Sequence, residues 1–148
     1  MMDFRFASER HPQGVKGAPA QTHERRLQVN VTRFAEATEY FPPNHHFMRC
    51  LRLQGHEAGP ASDLWMGVSV IEPGGHTSLD ASPLEKHYVV MDGSVTVITD
   101  GLEVTLHRFD SIRLAPNELR KLENRTPRLA AILLAMPLPR DNERSPDR

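Results

Sequence analysis

The sequence predicts an all-β chain folded as one antiparallel β-barrel of jelly-roll type, and three observations carry that expectation. Apolar and polar residues alternate at 27–32 and 47–53, the period of a strand with one face in a core and one toward water. Turn-forming pairs punctuate the chain at Asp92-Gly93, Asp100-Gly101, Pro116-Asn117 and Thr126-Pro127, and short strands at that spacing belong to sandwiches and barrels. Finally, 148 residues with 39% hydrophobic content supply one real core and not two.

Taken in order, residues 1–26 are rich in Gly, Pro, Gln, Arg and His with almost no aliphatic side chains. They bury too little to offset the entropy of ordering and are expected to be a disordered tail. The barrel domain is expected over 27–137, opening with the strand pattern at 27–32. Residues 34–40 suit a short helical turn stopped by Pro42-Pro43, since proline has no N–H to donate. His45-His46 lead the strand at 47–53, with Arg49 and Arg52 assigned to opposite faces. A Gly/Pro loop at 55–62 follows, then an apolar strand at 64–71 whose Trp65 reads as a packing anchor. Further strands are expected at 94–99, folding back through Asp92-Gly93, and at 103–106, 111–114, 121–123 and 130–136. The last is apolar on both faces and should be fully buried. The polar segment 138–148 reads as a mobile tail.

Charge nearly balances, with 18 Lys and Arg against 19 Asp and Glu, so there is no basic footprint for nucleic acid. Cys50 is alone, which excludes an internal disulfide framework and fits a reducing, cytoplasmic setting. No apolar run reaches membrane-spanning length, and a membrane partner is not expected.

The stretch 72–93, E-P-G-G-H-T-S-L-D-A-S-P-L-E-K-H-Y-V-V-M-D-G, organises the chain: a Pro-Gly-Gly turn, a polar segment, then a strand running into Asp-Gly, together read as a hairpin arm. Its spacing resembles the first motif of the cupins, small antiparallel β-barrels. Anchored on Gly74 and Gly93, the family's metal-ligand positions fall on Asp80, Ser82 and Lys86. A second motif, anchored on Asn124, passes through Phe109, Ala115, Asn117 and Arg120. The two frames agree in register and separation over residues 62–137, while all four ligand positions are changed. The resemblance implies a cupin barrel, a homodimer, and a pocket where relatives hold Fe, Mn, Zn, Ni or Cu.

Lys86 and Arg120 are cations and poor ligands at neutral pH, and Ser82 is a weak donor. The leading expectation is therefore a pocket without the family's metal. It would bind a small anionic, carboxylate-type metabolite through Arg120, Asp80, Ser82 and His46, and act on it as an isomerase, lyase or hydrolase. Lys86, with its pKa lowered by burial beside Arg120, would be a base or imine-forming amine, and Glu85, Tyr88 and His76 would handle protons. Three alternatives stand beside it. In one, Asp80, Lys86 and Arg120 form an inert ion-pair cluster. In another, the barrel is a non-catalytic metabolite sensor or accessory module. In the third, a bulge slips the register so that Glu85 and His87 face inward. Those two, with His76, Asp80 and His46, would then bind Fe, Zn or Mn for dioxygenase-type chemistry.

Overall fold

The computed structural model describes residues 28–140. The tail expected at 1–26, and most of that expected at 138–148, lies outside them. Within the described residues nine strands form one nearly closed antiparallel sheet: β1 Glu39–Tyr40, β2 His45–Gln54, β3 Leu64–Thr77, β4 Lys86–Asp92, β5 Ser94–Thr99, β6 Leu102–His107, β7 Ser111–Leu114, β8 Arg120–Glu123 and β9 Ala130–Pro137. They run in the order β6-β5-β8-β3-β9-β4-β7, with β2 along the other side of β3 and β1 outside β2. No helix is long and apolar enough to cross a membrane.

Strand alternation fills the interior. Ile71 of β3, Val90 of β4, Val95 and Val97 of β5, Leu122 of β8 and Ile132 of β9 are each almost completely buried and pack in one cluster. Each such side chain contributes about 1.5–3 kcal/mol by leaving water. Strand β9 departs from its expected complete burial, because only Ala130, Ile132, Leu134 and Met136 face the core while the residues between them are half-buried.

Three local expectations change. Residues 28–33 form no strand, and Val29 and Val31 stay exposed, because no neighbouring strand offers a hydrogen-bond ladder. The helical turn is a single 3-10 turn at Phe34–Glu36, after which the chain extends into β1. Pro73-Gly74-Gly75 does not open a hairpin. It is a bulge inside β3, whose register against β2 jumps from Ile71 opposite Met48 to His76 opposite His46. Glycine is required there: Gly74 has φ 78°, and a Cβ on Gly75 would lie 2.5 Å from the Phe47 carbonyl oxygen.

The bulge turns β3 from one half of the barrel to the other, so that it pairs with β9 over Leu64 to Ile71 and meets β8 at His76 and Glu123. Asp92-Gly93 likewise crosses between halves and does not make a hairpin: β4 pairs with β7 and β9, whereas β5 pairs with β6 and β8. Asp100-Gly101 is a true two-residue hairpin loop, with Thr99 opposite Leu102.

Candidate functional site

Strand β4 sends Lys86, Tyr88 and Val90 inward and His87 and Met91 outward. Its register is regular where it matters, with Lys86 opposite Leu114 and His87 opposite Arg113 on β7, and the irregularity comes only after Val90. Lys86 and Tyr88 line an open cavity of about 370 Å³ together with Tyr40, His45, Arg52 and Trp65, and with Leu134 and Met136 from β9. Arg52 is held on three sides. Its guanidinium lies 3.6 Å from the Tyr40 ring centre and 4.4 Å from that of Trp65, and its Nε donates to Glu57 at 2.8 Å.

Beside this cavity Arg120 is 4% exposed and Lys86 9%. Neither forms an ion pair within the described residues. Arg120 donates from one terminal nitrogen to the Asp80 backbone carbonyl at 2.8 Å, and its buried Nε has no hydrogen-bond partner. Burial lowers the Lys86 pKa to about 8, with Arg120 adding to the effect and Asp80 opposing it. His45 is also pushed down by burial, against a hydrogen bond to the Pro43 carbonyl, with the Arg120 and Lys86 charges lowering it further. A carbonyl only accepts, so Nδ1, 2.7 Å from Pro43 O, carries the proton and leaves Nε2 as the acceptor on the neutral ring. Tyr88 is driven up by burial while Arg120 pulls it back. The assembly is a set of cations and neutral bases against aromatic and aliphatic walls, and no Asp or Glu lines it.

No family model matches the sequence. A beta-D-galactosidase of Mycobacterium tuberculosis, Rv1717, is 41% identical over 111 residues, spanning 75% of this chain and 96% of that protein. Among solved structures, the polyketide cyclase RemF of Streptomyces resistomycificus superposes with a TM-score of 0.67 at 14% identity, over 76% of this chain and 82% of that one. An RmlC-like cupin of Shewanella frigidimarina gives 0.61 at 14% identity, over 76% and 93%. This chain belongs to the family of that mycobacterial protein and has the cupin fold.

The cupin frame shows in the backbone as well. The glycine positions of the two motifs, occupied here by Gly74, Gly93, Phe109 and Asn117, have φ of 78°, 69°, 71° and 64°. All four keep the left-handed backbone, although two have lost the glycine. The cupin metal positions do not fit a metal. Lys86 and Arg120 put two positive charges where donors belong. Asp80 is exposed, its carboxylate accepting the Ala81 N–H at 2.8 Å, and the Ser82 hydroxyl accepts the Leu84 N–H in a loop turn. No group of three or more His, Cys, Asp or Glu side chains converges among the described residues.

The slipped register is overturned. Glu85 lies outside, accepting from Arg113 at 2.6 Å with His87 3.2 Å away, because no bulge interrupts β4 there. His46 and His76 also face outward, stacked with ring centres 4.8 Å apart, and His76 Nδ1 bonds Gly74 O. The inert ion-pair cluster is overturned too, since Asp80 meets Arg120 through backbone and not carboxylate.

Of the eight residues of the leading expectation, the structure brings Lys86, Tyr88 and Arg120 together, holds Asp80 against Arg120 through its backbone, and leaves Glu85, His76, His46 and Ser82 apart from them. It adds Tyr40, His45 and Arg52. The histidine pair was correctly split between faces, but counting alternation back from inward Arg52 selects His46. The bulge at Phe47, φ 53°, reverses that parity and turns His45 in. Phe47-Met48 offers no glycine to announce it.

Proposed function

We propose that the cavity receives a small anionic, carboxylate-type metabolite and acts on it by acid–base chemistry. One observation carries this reading: Lys86 lines the cavity as a buried cation with no anionic partner among the described residues, with a second such cation, Arg120, beside it. Two like charges in a desolvated interior repel, and an incoming carboxylate relieves both the repulsion and the missing hydrogen bonds. With its pKa near 8, Lys86 exchanges protons close to neutral pH, and His45 Nε2 is a neutral base on the same cavity. Tyr40 and Trp65 supply an apolar wall for the ligand body. The homodimer that the cupin resemblance implies remains part of the proposal, and light scattering on the purified chain tests it.

Thermal-shift titration with small carboxylates tests the reading. Stabilisation that is lost in both Lys86→Ala and Arg120→Ala supports it, and the absence of a shift with any anion overturns it. Turnover then separates an isomerase, lyase or hydrolase from a sensor that only binds.

A second reading, hydrolysis of a galactoside, is favoured by the 41% identity to the mycobacterial beta-D-galactosidase. Against it, the usual glycosidase chemistry needs a pair of carboxyl groups flanking the bond, and among the described residues no Asp or Glu lines this cavity; Glu57 is engaged with Arg52. Release of chromophore from a nitrophenyl β-galactoside, abolished in Lys86→Ala, would establish that reading over the first.

A further inference from the structure

Lys86 is unusual as an amine as well as a charge. It is 9% exposed, lines the cavity, and forms no ion pair or hydrogen bond with any described residue, so its Nζ lone pair is not tied up once the proton leaves. The groups facing it are complementary to a particular electrophile. Arg120 lies alongside with its Nε unsatisfied, and Arg52 lines the cavity with only its Nε committed, to Glu57. Arg52 thus offers N–H donors to a carboxylate in the cavity, and Arg120, buried beside it, adds positive charge. The neutral His45 ring presents Nε2 as a proton acceptor, and Tyr40, Trp65, Leu134 and Met136 give the cavity apolar walls.

Resting on the anion-binding reading above, we infer that the ligand class is a 2-oxo acid and that Lys86 captures its carbonyl carbon as an imine. The neutral amine attacks the carbonyl carbon, forming a C–N bond while the carbonyl π pair moves to oxygen, which takes a proton from solvent in the open cavity. Nitrogen gives up a proton to His45, and its lone pair then expels the hydroxyl, which leaves as water with that proton. Amine, ketone and one solvent proton become the protonated imine and water, with no oxidant. The ligand carboxylate offsets the charge of the protonated imine beside Arg120. Asp80 favours the ammonium through its charge without pairing with it, and burial and Arg120 outweigh it, which leaves the amine available.

The experiment uses the full chain, pyruvate as probe and cyanoborohydride to reduce any imine to a stable secondary amine, with peptide mass mapping to locate the adduct. At pH 8 about a hundredfold more of Lys86 than of an ordinary lysine is neutral. Labelling of Lys86 at least about tenfold above that of Lys121, half-buried and paired with Glu123, is therefore expected, with Lys16 as a further control. Lys86→Arg retains the charge, and should keep the thermal stabilisation by acetate and pyruvate while losing the adduct. If pyruvate and acetate both stabilise the protein but Lys86 is labelled no more than Lys121, the imine is overturned and the anion site stands. If neither stabilises nor labels, both readings fall.

Discussion

Arg120 and Asn124 stand four residues apart, both buried polar side chains at positions of one cupin motif, and they are provided for in opposite ways. Asn124, 1% exposed, is saturated: its Nδ2 donates to the carbonyls of Ile71, Glu72 and Arg128, and its Oδ1 accepts from the backbone and hydroxyl of Thr126. It ties the corner of β3 to the loop before β9. Arg120, 4% exposed, donates to the Asp80 carbonyl and hydrogen-bonds Tyr88, but has an orphaned Nε and no ionic partner among the described residues. Charges outside resemble Asn124 and not Arg120. Glu123 pairs with Lys121 and Arg125, Arg125 with Glu103, and Glu85 with Arg113. A polar group that only holds the fold is satisfied within it, whereas the unsatisfied pair, Lys86 and Arg120, sits at the cavity.

The largest test of that contrast is Asn124→Ala. It strands several buried groups at once and should lower unfolding free energy by about 3 kcal/mol or more, read by urea denaturation. Next is the pH dependence of Lys86. Its folded pKa of about 8 lies below the unfolded value of 10.5, so between those values the unfolded chain holds more protons and stability rises with pH. Below pH 8 both states are protonated and the cost of the charge is fully present. The gain across that window should approach about 2–3 kcal/mol, and it should vanish in Lys86→Met, which removes this group but leaves the tyrosines and Cys50 titrating.

Arg120→Met sharpens the comparison further. Removing an unpaired buried cation should alter the stability of the ligand-free protein by no more than about 1 kcal/mol while abolishing stabilisation by carboxylates. A loss as large as that of Asn124→Ala would mean that Arg120 is structural, and the contrast would collapse. Glu85→Ala should be the smallest change, under about 1 kcal/mol in stability and with carboxylate stabilisation intact, because its ion pairs are solvent-exposed.

The barrel was legible because its signals are local and repeated. Strands at 111–114 and 130–136 were read to within a residue, since alternation and turn residues act over a few positions. Alternation did not choose between the faces of β4, and the inward direction of Lys86 followed from the motif frame and the lack of a bulge signal before it. What failed is non-local. Asp92-Gly93 has the chemistry of a hairpin turn, yet the partners of β4 and β5 are chosen by how the two halves of the barrel close. His45 entered the site, and His46 left it, through a bulge with no sequence mark. Asp80 looked like a counter-ion because charge shows in sequence, but whether a carboxylate reaches a guanidinium does not.

By itself the sequence determined an all-β cupin frame, the placement of two cations where relatives keep a metal, and the opposite faces of Glu85 and Lys86. The frame and the placement of the cations follow from the resemblance of two motifs to the cupins, and the opposite faces from the two-residue period of a strand. Only the tertiary structure decided which charges are paired. A partner is selected across the barrel by register, bulge and burial, and it left Lys86 and Arg120 without one while pairing the charges outside.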